Sequence, residues 1–139
     1  MPTEIVVHAV HQGAMHVVAD AGEHRVSMDY PLKPGNAGFT PLQLLLASLA
    51  GCSASTLAAL LRKGGQAPEG LEVTATGVRR EEHPTVFTQI SLEFVVRGGS
   101  VDQAVAAKAL SQAEQLVCPV WAMLKAGTPI SASLRVVKG

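Results

Sequence analysis

Charged residues are scarce in this chain of 139 residues, and those present cancel one another. Aspartate, glutamate, lysine and arginine make up 16% of the sequence, and their formal charges sum to zero at pH 7. Nucleic acids and anionic membrane surfaces attract proteins through an excess of basic residues. The zero net charge therefore argues against nucleic acids and anionic membranes as partners and favours a small, neutral molecule.

The sequence also lacks the motifs of nucleotide-binding and metal-binding proteins. It has no glycine-rich phosphate loop, no nucleophile elbow and no Rossmann fingerprint, so we expect no nucleotide. Four of its five histidines crowd the amino terminus, but they fall on different predicted strands and turns, where we expect surface or turn positions and no zinc site. We therefore predict neither a metal nor an organic cofactor.

No secretory signal is apparent at the amino terminus. Met1 is followed by Pro2, Thr3 and Glu4, without the basic start and apolar run of such a signal. We therefore expect a cytoplasmic protein, in a compartment that keeps thiols reduced. The two cysteines of the chain are then buried bystanders or a catalytic pair more often than a static bridge.

The length fits a single domain over residues 1–139, large enough to bury a core without disulfides. Residues 42–61 are uncharged, and a bilayer span needs roughly 20 apolar residues. This stretch carries Gln43 and several serines, and alternating segments surround it, so we interpret it as a buried helix and predict no membrane span. Because a small domain could hardly cover such a helix alone, we expect a partner subunit to cover the rest.

Strands and helices are predicted in blocks along the chain. The β-rich runs lie at about residues 4–10, 15–20, 24–30, 71–80, 86–97 and 130–137. A long helix is predicted over about residues 41–64, a second up to about residue 117, and a short third after Cys118. The order βββ-α-ββ-α-α-β predicts an α+β fold with mainly antiparallel sheet.

Capping boxes are predicted at the starts of the first two helices. Thr40 suits the N-cap of the first helix, with Pro41 as its first residue and Gln43 completing the box. Ser100 and Gln103 have the same spacing and predict the start of the second helix.

Cys52 and Cys118 are the candidate reactive residues. Cys52 is the only strongly nucleophilic side chain in the long uncharged helix, and its small neighbours leave room beside the sulfur. Cys118 precedes Pro119 and is predicted to be the N-cap of the short helix, where exposed amides favour a thiolate. The alternative for each is a structural role, as a small buried hydrophobe or a tolerated cap. Whether the two meet depends on the fold.

Three motifs in order make the chain resemble the OsmC/Ohr family, named after osmotically inducible protein C and organic hydroperoxide resistance protein. They are TPLQLLLASLAGC, HPTVFTQISLEFVVRG and AEQLVCPVWAML. The motifs are similar to the family's first-cysteine helix, its central hairpin and its second-cysteine segment. The resemblance covers nearly the whole chain, and its detail is closer to the OsmC-like branch than to the Ohr branch.

This resemblance implies a fold, a chemistry and a partner. The fold would be OsmC-like, with antiparallel sheets around long central helices in an intertwined homodimer. Cys52 would be the peroxidatic nucleophile and Cys118 the resolving thiol, reducing an organic hydroperoxide, with hydrogen peroxide as a second candidate substrate. An external dithiol, of lipoyl type in the family, would reduce the resulting disulfide.

The chain departs from the family pattern in its charged residues. Active members carry an arginine from the amino-terminal hairpin, but residues 13–16 have none here, which leaves Arg25 as the nearest candidate to support the thiolate. Members also place a glutamate at the start of the cysteine helix, where this chain has Leu42 and Gln43. Gln43 can hydrogen-bond but carries no charge. Two other functions therefore stay open: a non-catalytic dimer that binds a hydrophobic small molecule, and a cysteine-based redox sensor.

Overall fold

The computed structural model describes residues 3–138, which form two compact units that divide between Leu45 and Leu46. The first unit contains β1 (His8–Gly13), β2 (His16–Ala21), β3 (His24–Met28) and the start of α1 (Pro41–Lys63). The second contains the rest of α1, then β4 (Gly70–Arg79), β5 (Phe87–Arg97), α2 (Gln103–Gln112), a π-turn (Ala113–Val117), α3 (Pro119–Lys125) and β6 (Ile130–Val137). The predicted order of elements and the α+β class are confirmed, and the single domain stays a prediction.

The first unit is the predicted antiparallel meander, with its three strands in the order β1-β2-β3. The first strand begins later than predicted, at His8, which pairs with Asp20. Because β2 ends at Ala21, the residues before His8 have almost no strand left to pair with. The third strand stops at Met28, which pairs with Val17 near the start of β2.

The second unit has its own sheet, in the order β4-β5-β6. β4 and β5 form the predicted antiparallel hairpin, whereas β5 and β6 pair in parallel from Ile90 and Ile130 onward. A parallel partner requires a crossover connection, and here the segment from α2 to α3 supplies it.

The core of the second unit lies between its sheet and its helices. β5 buries alternate residues, as expected for a strand with one face in the core: Ile90, Leu92, Phe94 and Val96. α1 buries one residue in four along a single stripe: Leu49, Ser53, Leu57 and Leu61. The three leucines belong to the same hydrophobic cluster as β5 and Trp121.

α1 is buried on one face only in the single chain. By length and composition it could cross a membrane, a property that core helices of soluble proteins share. The face that the chain leaves exposed carries small side chains at every fourth position: Ala47, Gly51, Ser55 and Ala59. The predicted burial of α1 on all sides therefore requires a partner. The partner subunit and the absence of a membrane span both stay predictions.

The predicted start and end of α1 are confirmed by hydrogen bonds. The Gln43 amide donates to Thr40 Oγ1 (3.2 Å) and the Thr40 amide donates to Gln43 Oε1 (3.0 Å), which completes the capping box. At the other end, the amide of Gln66 donates to the Leu61 carbonyl (2.8 Å) while Gly65 adopts a positive φ of 80°. This arrangement is a Schellman motif, which satisfies the last carbonyls of the helix.

The capping box predicted for the second helix is wrong. The N-cap of α2 is Asp102, whose Oδ2 accepts from the amide of Val105 (3.1 Å). The side chain of Gln103 turns to β6 instead, donating to the Leu134 carbonyl (3.1 Å) and accepting from the Val136 amide (2.9 Å). Tertiary hydrogen bonds to the sheet therefore override the local pattern.

Candidate active site

α1 places Cys52 midway along its length, partly buried and packed against the hydrophobic core of the second unit. The hydroxyls of Ser53 and Ser55 hydrogen-bond within the helix and not to the Cys52 sulfur. Each hydroxyl donates to a backbone carbonyl three residues earlier, Ser53 to Ala50 (3.2 Å) and Ser55 to Cys52 (3.1 Å). The neighbours of Cys52 are thus small, and their hydroxyls are already hydrogen-bonded within the helix. The Cys52 sulfur is therefore the reactive group on this part of the helix.

Cys118 lies between the π-turn and α3. Its amide donates to the carbonyl of Ala113 (2.8 Å), five residues earlier, which gives the π-turn its wider hydrogen-bonded ring. The backbone then becomes extended at Cys118, and Pro119 begins α3. The predicted N-cap position of Cys118 is confirmed, whereas its side chain makes no capping hydrogen bond.

The fold brings the two candidate cysteines into contact. The thiol of Cys118 donates to the sulfur of Cys52, with 3.0 Å between the sulfur atoms. A disulfide bond is about 2.05 Å long, and both cysteines are free thiols in this structure. Two residues far apart in the sequence thus form one compact thiol pair within the second unit.

The environment of Cys118 favours its protonated form. Its side chain is buried. This burial is the largest cause of a raised pKa of Cys118, and the hydrogen bond between its thiol and Cys52 is the second. The backbone amides of Trp121 and Val120 act in the opposite direction, as the prediction for a helix N-terminus requires, but their effect is smaller. The expectation of a Cys118 thiolate is therefore wrong, because desolvation outweighs the helix end.

An aromatic pair lies beside the buried cysteine. Trp121 follows Cys118 by one turn of α3 and stacks on Phe94 of β5, with ring centroids 6.3 Å apart and planes 10° from parallel. Both rings are only 1% exposed. They close this side of the core to water and hold α3 against the sheet.

Arg25 and Gln43, the two candidate supports for the thiolate, are both engaged within the first unit. Arg25 lies on β3 directly opposite Asp20 on β2, and its Nε is 2.8 Å from Asp20 Oδ1. The Arg25 side chain is 73% exposed. Gln43 uses its amide oxygen in the capping box of α1. Any role of either residue toward Cys52 stays a prediction.

Two features, one in each unit, were missed from the sequence. The Asp20–Arg25 pair follows from the strand register, which the turn at residues 21–22 sets. The pair could therefore have been predicted from the position of that turn in the sequence. The π-turn has no comparable signal, because helical periodicity continues through Ala113–Val117. The π-turn is tied to α3 by an ion pair between Glu114 and Lys125, whose charged atoms are 3.6 Å apart.

Two histidines of the first unit make local contacts. His16 Nε2 lies 2.7 Å from the hydroxyl of Ser27, and His11 Nε2 lies 2.7 Å from the carbonyl of Ala14. Over residues 3–138, no three or more histidine, cysteine, aspartate or glutamate side chains form a group that could hold a metal ion.

The chain is thus an α+β protein with a parallel crossover strand, in which a partly buried and a buried cysteine form a contacting thiol pair. The sequence model described as OsmC-like protein matches residues 34–133 of the chain. The chain therefore belongs to the OsmC-like family, as the three motifs predicted.

Three similar proteins illustrate how far the likeness extends. Protein YhfA of Escherichia coli K12 is 34% identical over 129 residues, which are 91% of this chain and 92% of YhfA. A hypothetical protein from Aquifex aeolicus superposes with a TM-score of 0.90 at 22% identity, covering 99% of each chain. The organic hydroperoxide resistance protein OsmC of Legionella pneumophila gives a TM-score of 0.73 at 19% identity, covering 96% of this chain and 98% of its own. The two structural matches establish the shared fold.

Proposed function

We propose that this protein is a thiol peroxidase that reduces organic hydroperoxides, with Cys52 as the nucleophile and Cys118 as the resolving thiol. The observation that carries the proposal is the contact between the two sulfur atoms, which are 3.0 Å apart. Membership of a family whose structural relatives include organic hydroperoxide resistance proteins supports the same chemistry.

In the first step the Cys52 thiolate attacks the terminal oxygen of the hydroperoxide. The O–O bond breaks, an S–O bond forms, and the sulfur is oxidised to a sulfenic acid while the peroxide is reduced. The leaving alkoxide needs a proton to become the alcohol. The Cys118 thiol, which already donates toward Cys52, is placed to supply it.

In the second step Cys118, now a thiolate, attacks the sulfur of the Cys52 sulfenic acid. An S–S bond forms, the S–O bond breaks, and hydroxide leaves and takes a proton from solvent. Because the sulfur atoms are already adjacent, this step needs little movement of α1 or α3. An external dithiol then exchanges twice with the disulfide, restoring both thiols and leaving as its own disulfide.

The surroundings of Cys52 favour an organic peroxide over hydrogen peroxide. Cys52 packs against a cluster made of leucine, isoleucine, valine and aromatic side chains. Where partly buried apolar side chains packed against this core remain accessible, an alkyl or aryl substituent on the peroxide gains about 25 cal/mol for each Å² that it removes from water. Hydrogen peroxide has no such substituent to bury.

We further propose that the active form is a cytoplasmic homodimer. Each chain exposes the small-residue face of α1, and large apolar side chains of the first unit are also exposed, among them Ile5 (88%) and Val6 (68%). A second copy that covers these surfaces would complete the burial of α1. The cytoplasm would keep the thiol pair reduced between turnovers.

One observation favours the non-catalytic alternative. Arg25 is paired with Asp20 and largely exposed, so its charge is already balanced within its own unit. If no other cation supports the Cys52 thiolate, the protein would keep the fold and bind an apolar molecule without reducing peroxide. Loss of peroxide reactivity with both thiols intact would identify this alternative.

The test is a single addition of cumene hydroperoxide to the reduced protein, followed by intact mass and peptide mass spectrometry. We expect one equivalent to remove both free thiols and join Cys52 to Cys118 in a disulfide. In Cys118→Ser, the same addition should leave a single added oxygen on Cys52, trapped by a sulfenic-acid reagent. If both thiols remain titratable after the addition, the proposal is wrong.

A further inference from the structure

Cys118 follows a π-turn whose last backbone carbonyls cannot all pair within the turn. In a π-turn a carbonyl accepts from the amide five residues later, and Ala113 accepts from Cys118 in this way (2.8 Å). For Glu114 the corresponding residue is Pro119, which has no amide N–H. The α-helical partner of Glu114 would be the Cys118 amide, which already bonds to Ala113. The Glu114 carbonyl therefore needs a donor from outside the turn.

Lys125, at the end of α3, supplies that donor. Its ammonium Nζ donates to the Glu114 backbone carbonyl (3.3 Å) and lies 3.6 Å from the Glu114 carboxylate. Both side chains are more than a third exposed, at 37% and 39%, so water screens the ion pair between them. The bond to the carbonyl is the more important contact for geometry, because it joins α3 to the backbone of the π-turn.

The contact between Lys125 and Glu114 closes a short loop of chain that contains Cys118. Glu114 precedes Cys118 on the π-turn, and Lys125 follows it at the far end of α3. Within α3, Trp121 also stacks on Phe94 of β5. Because α3 is held at both of these points, the extended residue between the turn and the helix has little freedom to move its sulfur.

We propose that Lys125 is a positioning residue of the thiol pair. By bonding to the Glu114 carbonyl, it holds the Cys118 sulfur against the Cys52 sulfur, 3.0 Å away. Its meaning for catalysis rests on the proposed function, in which an oxidised Cys52 is resolved by Cys118. Without the Lys125 ammonium, the Glu114 carbonyl would bond to water, and the segment that carries Cys118 would sample other positions.

The test measures how readily the two sulfur atoms join, without any peroxide. The Cys52 thiolate attacks oxidised dithiothreitol, which breaks the S–S bond of the reagent and forms a mixed disulfide. The Cys118 thiolate then attacks the Cys52 sulfur, so that the Cys52–Cys118 bond forms and dithiothreitol leaves with both protons. The protein loses two electrons and dithiothreitol gains them. Intact mass after alkylation, over a series of dithiothreitol redox ratios, gives the equilibrium constant for the disulfide.

Lys125→Met keeps a long side chain with good helix propensity but removes the ammonium. We expect it to lower the equilibrium constant about fivefold, the effect of losing one hydrogen bond. The reason is that the reduced segment gains freedom that the disulfide must then remove. Lys125→Ala should show the same loss, whereas Lys125→Arg keeps a cationic donor and should restore part of the constant. The matched control is Lys138→Met, which also removes an ammonium that donates to a backbone carbonyl, here that of Gly99 (3.2 Å).

An unchanged near-ultraviolet circular dichroism band of Trp121, the single tryptophan of the chain, identifies variants in which α3 remains packed. The positioning role is overturned if the two variants without a cation stay within about twofold of the native constant, or if Lys138→Met loses as much. It is also overturned if Lys125→Arg restores nothing, or if the native chain forms no disulfide with oxidised dithiothreitol. A disulfide that forms here but not with cumene hydroperoxide contradicts only the peroxidase proposal, so the two failures are distinguishable.

Discussion

At the residue scale, the two cysteines differ in chemistry although the sequence presents them as a pair. Cys118 is buried and donates its proton toward Cys52, so burial and the contact with Cys52 raise the pKa of Cys118. Cys52 is partly exposed on α1 and receives that hydrogen bond. This asymmetry suits the proposed division of labour, in which Cys52 reacts first and Cys118 first gives a proton and then resolves.

The raised pKa of Cys118 predicts how stability depends on alkaline pH. The folded chain holds this proton more tightly than the unfolded chain, so the stabilising contribution is complete below the usual cysteine pKa of about 8.5. It is lost as the pH rises through the higher, folded value. We expect urea unfolding under reducing conditions to show a steeper fall in stability above about pH 8.5 for the native chain than for Cys118→Ala. Equal slopes for the two proteins would show that burial of Cys118 does not hold its proton.

At the element scale, local sequence signals succeed where no tertiary bond competes with them. The capping box of α1 was predictable because Thr40 and Gln43 satisfy each other's backbone amides. The same spacing failed at α2 because Gln103 bonds to the backbone of β6, a partner far along the chain. The π-turn before Cys118 could not be predicted either, since one extra residue in a turn leaves the apolar pattern almost unchanged.

The reassigned N-cap predicts a difference between two substitutions two residues apart. Asp102→Ala removes the acceptor for the Val105 amide and a negative charge at the start of α2, so we expect a loss of about 1 kcal/mol in unfolding free energy. Ser100→Ala should change it by less than about 0.5 kcal/mol, as is usual for exposed positions. Chemical denaturation measures both. A larger loss for Ser100→Ala than for Asp102→Ala would restore the original capping box.

At the scale of the whole molecule, composition and the three motifs led to the correct class and family, because they reflect the order of elements and not their contacts. The meeting of Cys52 and Cys118 could not be predicted from spacing, since it depends on the crossover from β5 to β6 that carries Cys118 back to α1. The partner of Arg25 depended on the strand register of the first unit. The candidate residues could thus be chosen from the sequence, whereas the contacts between them could be known only from the fold.

The proposed homodimer predicts the effect of a larger side chain on the exposed face of α1. A Cβ added at Gly51 meets no atom within 4 Å in the single chain, so a monomer would accept Gly51→Leu. The higher helix propensity of leucine would raise its unfolding free energy by about 1 kcal/mol at most. Where a partner helix approaches this face, the leucine would hold the two copies apart. We expect sedimentation velocity to show a dimer for the native chain and a shift to monomer for Gly51→Leu. Ala104→Leu, at an exposed position of α2, is the matched control and should remain dimeric, and a native monomer would contradict the prediction.

The central claim is that the thiol pair turns over hydroperoxide, and its most direct test is steady-state consumption of cumene hydroperoxide with dihydrolipoamide as the reductant. Hydrogen peroxide is measured in parallel, beside Cys52→Ser and Cys118→Ser. We predict turnover that favours the organic peroxide, is abolished in Cys52→Ser, and falls in Cys118→Ser to at most a single oxidation of Cys52. Absence of turnover in the native protein, with both thiols still reduced and the fold intact, would contradict the claim and favour the ligand-binding alternative.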